Sequence, residues 1–281
     1  MTSNAELFRF LQKLVNDMYE DLELPGFPDV VVRLQQTLAD EKSNARDIVR
    51  LVSSDAALSA RLLQLANSVA FKPGDRDISD LKAAVTVLGF SLVRGTATSF
   101  AVRQMEQQAW LLPLKPHLHR IWQDSTGVAA ICYVGARHIA GMRPDEALAA
   151  GLFHQIGTLY VLTRAHKEGI AIGDTTEWTA AIADWTPTIA RAILENWRVP
   201  EHLTDAVEHQ DALGREDPGE LSLLARLLAA AKLYQQMQTP QGDHTQAQAV
   251  LANVKFGAQP FLEMTQSARD EIEAVRRVIG Q

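Results

Sequence analysis

The chain has 281 residues, of which 47% are hydrophobic and 22% charged, and its formal net charge is −7. This composition is typical of a folded protein with one large domain or two modest ones, and it excludes extensive disorder. The acidic balance provides no general attraction to nucleic acid or to an anionic membrane, so we expect neither as a partner.

The apolar stretches and the cysteine content indicate a reduced, cytoplasmic protein. The single cysteine, Cys132, lies in GVAAICYVGA, which predicts a buried and inert thiol. The N-terminal segment is amphipathic and carries acidic residues, unlike a signal peptide. Charged side chains at Arg137, Arg226 and Lys232 interrupt the apolar stretches before they reach the length of a membrane span.

Helical periodicity begins in the N-terminal segment, where we expect a helix within residues 1–21, and continues along the chain. The stretch DAALSARLLQLANSVAF predicts a helix that begins near Asp55. Its apolar face consists of Leu58, Leu62, Leu65 and Val69.

The following segment, DISDLKAAVTVLGFSLVR, predicts two consecutive helices. Ser79 is the expected N-cap of the first helix, Gly89 its C-terminal stop, and Ser91 the start of the second. Alternation with a period of two residues is not sustained anywhere, so the sequence predicts an all-α fold without a sheet.

Proline and glycine gather at residues 22–29, 71–77, 110–117 and 214–220, where we expect loops. These loops separate the N-terminal helix from a bundle over about 24–110, a second bundle over about 116–213 and a helical extension over 216–281. The linkers are too short and too apolar to act as free tethers, so both bundles should share one core.

The stretch GLFHQIG, residues 151–157, contains the most informative histidine. The pattern of DEALAAGLFHQIGTLYVL predicts one continuous helix, on which His154 lies beside small residues that allow close approach of a neighbouring helix or a ligand. GLFHQIG resembles the GLLHDIG signature of the HD superfamily of metal-dependent phosphohydrolases.

The chain resembles a bacterial relative of that superfamily, the HDOD family, from about Leu22 to Gln210, and the resemblance is most specific in the first bundle. The similar elements are LPGFPDVVVRLQQTL, LVSSDAALSARLLQLANS and AAVTVLGFSLVR, in that order. A domain over 22–215 is implied, with an HD-like helical fold. The motif residues, for which we expect mainly structural roles, are Pro25, Pro28, Asp55, Leu58, Arg61, Asn67, Ser68, Leu88, Gly89, Gly151 and Gly157.

A catalytic HD site holds divalent metal through an early histidine, a His-Asp pair and a distant aspartate. By resemblance, these positions correspond to Asp124, to the pair His154-Gln155 and to Lys232. Only His154 is retained, and an amide and an ammonium cannot replace carboxylates around a hard cation. We therefore expect no metal or other cofactor. An altered three-ligand site of Asp124, His154 and His209 is the alternative.

The resemblance implies a non-catalytic regulatory module of bacterial signal transduction that binds a signalling protein or a small ligand. The alternative is a metal-dependent phosphohydrolase or cyclic-dinucleotide phosphodiesterase with an altered site. The degenerate site residues Asp124, His154, Gln155, His209 and Lys232 form the expected ligand pocket.

Two further features leave alternatives open. Arg61 could meet a phosphate, but on an acidic protein we expect it to pair with a carboxylate such as Asp55 or Glu41. The final segment DEIEAVRRVIG has an apolar face that either packs on the bundle or mediates formation of a homodimer.

Overall fold

The computed structural model describes residues 4–17, 24–40, 42–172, 180, 182–215, 219–238 and 244–280, and these residues are predominantly helical, which confirms the all-α prediction. The α-helices are α1 (Asn4–Asp17), α2 (Asp29–Ala39), α3 (Ala45–Val52), α4 (Ala56–Ala66), α5 (Leu81–Met105), α6 (Lys115–Arg137), α7 (Pro144–Phe153), α8 (Ile156–Lys167), α9 (Thr186–Asn196), α10 (Glu201–Glu208), α11 (Leu223–Met237), α12 (Thr245–Ala252), α13 (Phe261–Ser267) and α14 (Arg269–Ile279). The 3₁₀-helices are Ala109–Leu114 and Ala212–Gly214.

Two predictions about non-helical structure were wrong. The expected loop at 110–117 contains the 3₁₀-helix and the start of α6. Strands β1 (Lys255–Phe256) and β2 (Gln259–Pro260) form an antiparallel pair where no sheet was expected. Two-residue strands are too short to produce the alternation by which a strand is recognised.

Helix α4 begins and ends at side chains of its motif. The Asp55 carboxylate accepts a hydrogen bond from the backbone N–H of Leu58 at 2.9 Å, which confirms the predicted start. The Asn67 amide ends the helix, because it binds both the N–H and the carbonyl oxygen of Ile78, each at 2.7 Å. The chain then leaves the helical path, and Val69 is fully exposed, so its placement on the apolar face was wrong.

Helix α5 is kinked at a glycine. The N-cap is Asp80, whose carboxylate accepts from the N–H of Ala83 at 2.8 Å, so the prediction of Ser79 was wrong by one residue. Gly89 has φ of +73°, a left-handed conformation that glycine adopts without strain and that interrupts the helix at the predicted stop. The helix resumes immediately afterwards.

Five further motif residues of the first bundle lie in the core or at helix ends. Leu58 and Leu88 are buried in the core. Pro28 precedes α2 in extended conformation, and Pro25 is buried next to it. The Ser68 hydroxyl donates to the carbonyl oxygen of Leu65 at 2.7 Å.

One continuous hydrophobic core joins the two bundles and the C-terminal helices, as predicted. Helix α6 packs extensively against α7, and α7 in turn packs against α5 of the first bundle. Helix α5 is long and apolar enough to cross a membrane, but 67% of its most apolar window is buried inside the protein. The buried thiol of Cys132, whose pKa is raised by desolvation, lies in the same core.

The C-terminal helix packs on the bundle. Helix α14 lies against α6 and buries Ile272, Val275 and Ile279, and its Glu271 forms an ion pair with Arg137. The predicted apolar face is thus covered within the chain. Formation of a homodimer through the C-terminal helices stays a prediction.

Candidate functional site: a charged cleft beside His154

His154 lies at a break between two helices, so the prediction of one continuous helix was wrong. Helix α7 ends at Phe153 and α8 begins at Ile156. The ring Nδ1 of His154 is 2.7 Å from the carbonyl oxygen of Gly151. In a continuous helix that oxygen would accept from the N–H of Gln155, and the imidazole takes this place.

The two glycines of GLFHQIG are required by close helix packing. A Cβ atom on Gly151 would lie 2.4 Å from the Cα of Ala129 in α6. A Cβ atom on Gly157 would lie 2.0 Å from the carbonyl oxygen of Thr186, at the start of α9. Both contacts are far inside van der Waals distance and involve backbone, which explains why the motif has glycine there.

Beside the break lies an open cleft of about 540 Å³, which we call the lysine cleft. Asp124 reaches it from α6, Gln155 from the α7–α8 junction and Lys232 from α11, so the structure brings these three predicted residues together. The lining residues are His117, Arg120, Ile121, Asp124, Gln155, Thr158, Leu162, Ile182, Ala183, Asp184, Thr186, Pro187, Asp211, Gly214, Arg215, Lys232 and Gln236.

The Lys232 ammonium is held in an ion pair that the sequence reasoning missed. It lies 2.7 and 2.9 Å from the two carboxylate oxygens of Asp211 and donates to the Oε1 of Gln210 at 3.0 Å. Asp211 precedes α11 by more than ten residues and lies beside Lys232 only in the folded chain, so the spacing around Lys232 does not indicate the pair. The signal available in the sequence was the acid two residues after His209.

His154 is a neutral, buried imidazole. Burial first of all, and then the charge of Lys232, lowers its pKa from 6.5 to about 4, against the opposing effects of the Gly151 carbonyl and Asp211. A carbonyl oxygen can only accept, so Nδ1 carries the proton of the neutral ring. The positive charge of Lys232 disfavours protonation of His154. For the same reason it would disfavour a metal cation bound there.

The Asp124 carboxylate is partly buried and lies near several cationic side chains. Burial raises its pKa, while Arg120, Arg276 and Lys232 and a hydrogen bond to Gln235 oppose that rise. Gln235 can come this close because Gly127 in α6 lacks a side chain, since a Cβ there would lie 2.5 Å from the Gln235 Oε1.

His209 does not join the cleft. It lies at the C-terminal end of α10, where its Nδ1 is 2.9 Å from the carbonyl oxygen of Asp205 and 3.1 Å from the carboxylate of the same residue. The structure therefore gives no support for a three-ligand site composed of Asp124, His154 and His209.

The residues of the cleft do not suit a divalent cation. Its described lining contains the carboxylates of Asp124, Asp184 and Asp211 and the cations Arg120, Arg215 and Lys232. Over the described ranges of the chain, three or more His, Cys, Asp or Glu side chains are nowhere close enough together to hold a metal ion. An ion displaced from water needs negatively charged ligands, and here an ammonium occupies the nearest carboxylate.

A family model for the HDOD domain matches residues 24–213. The chain belongs to the HDOD family. A comparison with curated proteins gave no match.

Solved structures of similar fold cover nearly the whole chain. A Shewanella amazonensis protein named "Putative metal-dependent phosphohydrolase" is 23% identical, with a TM-score of 0.72 over 98% of this chain and 99% of its own. An HDOD domain protein from Geobacter sulfurreducens is 20% identical, with a TM-score of 0.58 over 97% and 98% of the two chains. A "Putative signal transduction protein" from Marinobacter aquaeolei is 20% identical, with a TM-score of 0.55 over 98% of this chain and 66% of its own. These similarities support the HD-like fold of this HDOD protein.

Proposed function

We propose that this HDOD protein is a non-catalytic regulatory module of bacterial signal transduction, which acts in the cytoplasm by binding a signalling protein or a small ligand. The observation that carries the proposal is the Lys232–Asp211 ion pair beside His154. By the sequence resemblance, Lys232 corresponds to a metal ligand of HD enzymes, and its ammonium neutralises the Asp211 carboxylate, which could otherwise bind metal. The name given to the Marinobacter protein agrees with this role.

The alternative is a phosphohydrolase or cyclic-dinucleotide phosphodiesterase with an altered metal site. Its support consists of the three carboxylates in the cleft, Asp124, Asp184 and Asp211, and of the name given to the Shewanella protein. The two proposals differ in whether the cleft holds metal.

Metal analysis and turnover decide between them. The protein is purified without chelator, incubated with Mn²⁺, Fe²⁺ or Zn²⁺, desalted and analysed for metal, and then assayed with bis-p-nitrophenyl phosphate and cyclic di-GMP. We expect neither a stoichiometric metal ion nor turnover. About one ion per chain, with turnover that is lost in His154→Ala, would establish the alternative.

A designed variant provides the positive control. The double change Gln155→Asp with Lys232→Asp restores two carboxylates near His154 and removes the ammonium. We expect this variant to retain metal under the conditions in which the natural chain retains none. If both proteins retain metal equally, the Lys232 charge is not what excludes it.

Binding of a signalling protein is tested with the intact chain as bait in a cell lysate. Lys232→Glu reverses the charge within the cleft, while Lys42→Glu makes the same change at an exposed position outside it. A partner that is retained by the wild type and by Lys42→Glu but lost with Lys232→Glu would support recognition through the cleft. Equal retention by all three proteins would place the binding surface elsewhere.

A further inference from the structure

A second cavity, of about 350 Å³, lies where the first bundle, the second bundle and the C-terminal helix meet. We call it the arginine cavity. It is lined by Ala57, Ala60, Arg61, Gln64, Thr96, Ser99, Phe100, Arg103, Trp122, Leu152 and Ile279. It has only one lining residue, Leu152, from α7 and none from the junction at His154, so it is distinct from the lysine cleft.

The first bundle presents one regular face of each of two helices to this cavity. From α4 these are residues 57, 60, 61 and 64, and from α5 residues 96, 99, 100 and 103. Both sets follow the spacing i, i+3, i+4, i+7, which places their members on one side of a helix. This spacing places Arg61 of α4 and Arg103 of α5 in the wall of the arginine cavity.

Arg61 is a buried cation that forms no ion pair with any acidic residue in the described part of the chain. Its side chain is largely buried, with 9% of the residue exposed, and burial lowers the pKa of its guanidinium. Its hydrogen bonds go to the Oε1 of Gln64 at 3.2 Å and to the backbone carbonyl of Val278 at 2.8 Å. The expected ion pair with Asp55 or Glu41 was wrong for Asp55, which caps α4 instead, and Glu41 lies outside the described residues.

Two further polar residues belong to the cavity wall. Arg103 lies 4.4 Å from the centre of the Trp122 ring and forms an ion pair with Glu106 at 2.8 Å, while its side chain remains 39% exposed. Thr96 is 5% exposed, and its hydroxyl is buried without a hydrogen-bond partner. Less than 1 Å² of this hydroxyl oxygen is accessible, so it lies inside the wall and is not open to the cavity, and Arg61 and Arg103 provide the charged groups.

The charges in the wall are of one sign. Among the described lining residues there are two arginines and neither an aspartate nor a glutamate, on a chain whose formal net charge is −7. The carbonyl oxygens at the end of α14 compensate Arg61 only in part, because a helix terminus carries about half a charge. An anion in the cavity would provide the rest.

We propose that the arginine cavity binds a small phosphomonoester. Arg61 and Arg103 would bind the phosphate oxygens, and the organic part would lie against Phe100, Leu152 and Ile279. This site is separate from the lysine cleft, and the inference goes beyond the proposed function.

Phosphate fits this wall better than carboxylate does. Two guanidinium groups from different helices present more donors than the two oxygens of a carboxylate can use, whereas a phosphate offers three terminal oxygens and about two charges. A cavity of about 350 Å³ is at the lower end of the range for small-ligand sites, which suits a phenyl phosphate or a mononucleotide.

A ligand here would connect three parts of the chain. Arg61 belongs to the first bundle, Leu152 to the second and Ile279 to the C-terminal helix. Occupancy would therefore stabilise their packing against one another, and the ligand would act as an input to the module.

Titration calorimetry and thermal unfolding of the full chain test this proposal. Phenyl phosphate and AMP are compared with inorganic phosphate, which has the head group alone, and with benzoate, which is the carboxylate counterpart. We expect saturable binding of phenyl phosphate or AMP that is stronger than binding of inorganic phosphate or benzoate and raises the unfolding temperature. Arg61→Gln and Arg103→Gln should each weaken it by roughly ten- to a hundredfold, the effect of losing a charge-assisted hydrogen bond.

Arg120→Gln is the matched control, because it makes the same change in the lysine cleft and should leave the affinity unchanged. Arg103→Gln keeps the test decisive if Arg61→Gln, which also loses a contact to α14, does not fold. Absence of saturable binding at millimolar concentration, or equal affinity in both cavity variants and the wild type, would overturn the proposal. Neither result bears on metal binding and turnover at the lysine cleft, so the two proposals fail separately.

Discussion

The lysine cleft and the arginine cavity differ in how their charges are compensated. In the cleft, three cations face three carboxylates, and Lys232 is held by Asp211 within 2.9 Å. In the cavity, Arg61 is buried against a backbone carbonyl and an amide, with no carboxylate in the described lining. The cleft provides its own counter-ions, whereas in the cavity Arg103 is paired with Glu106 and Arg61 has no carboxylate partner among the described residues.

The family motif and the uncompensated buried charge therefore lie at different places in the molecule. The sequence motif that identifies the family surrounds His154, where an enzyme of the superfamily would hold metal. The stronger unsatisfied charge lies elsewhere, at Arg61, because an uncompensated buried cation favours an anion whereas a self-neutralised cleft favours neither sign. The proposals therefore assign ligand recognition to a cavity that the family motif does not surround.

The largest effect that we predict concerns the packing of α7 against α6, the two helices beside the lysine cleft. Gly151→Ala places a Cβ 2.4 Å from the Cα of Ala129, so α6 and α7 must separate. We expect a loss of about 3 kcal/mol in the free energy of unfolding, measured by urea denaturation. Gly74→Ala is the control, since a Cβ there meets nothing within 4 Å, and it should change stability by less than about 0.5 kcal/mol. Equal midpoints for the two variants would contradict the close packing described for the cleft.

The second prediction is that the free energy of unfolding depends on pH through His154, which is buried beside the cleft. The folded pKa of about 4 lies below the ordinary value of 6.5, so the unfolded chain binds the proton first as the pH falls. His154 therefore contributes its full stability above pH 6.5, loses it as the pH falls to about 4, and changes little below that. The contribution is on the order of 3 kcal/mol.

Denaturation curves between these two pH values measure this dependence in the wild type and in His154→Gln. The variant should have a flatter profile, whereas His209→Gln, the matched change outside the cleft, should retain the slope. Identical slopes in the wild type and His154→Gln would mean that the imidazole is not held neutral by its surroundings.

The fold could be predicted from the sequence because it depends on local signals. Apolar spacing, the N-cap of α4 and the glycine at 89 are each readable within a few residues, and they are sufficient to predict the helical fold and its shared core. The break at His154 was missed because an i−3 bond from imidazole to a carbonyl leaves the apolar pattern of the helix unchanged.

The contacts that define the two sites are not local. Asp211 and Lys232 are 21 residues apart, and Arg61 meets a carbonyl 217 residues away. Composition on an acidic chain favoured a carboxylate next to Arg61, yet the fold places the end of α14 there. Which charge is compensated and which is not is decided by tertiary packing, and no spacing in the sequence encodes it.

The third prediction changes the charge balance of the cleft directly. Lys232→Met keeps most of the side-chain volume and removes the cation, which leaves Asp211 without its partner and Gln210 with an unpaired oxygen. We expect a loss of about 1–2 kcal/mol, moderated because Asp211 is partly exposed.

The same variant should raise the pKa of His154, since the Lys232 charge is one of the two causes that lower it. Titration of the imidazole by nuclear magnetic resonance provides this second readout, which a loss of packing alone would not move. An unchanged imidazole pKa in a folded Lys232→Met protein would show that the ammonium does not act on His154.

The smallest predicted effect concerns the helix that carries Arg61. Asp55→Ala removes the carboxylate that accepts from the Leu58 N–H and should cost about 1 kcal/mol. Asp75→Ala, at an exposed position outside any helix, is the control. Because α4 forms one wall of the arginine cavity, phenyl phosphate should restore part of the lost unfolding temperature in Asp55→Ala and, at the same concentration, much less in a protein that also has Arg61→Gln. Equal restoration in both would mean that the ligand does not act through the α4 wall, and it would remove the contrast between the two cavities.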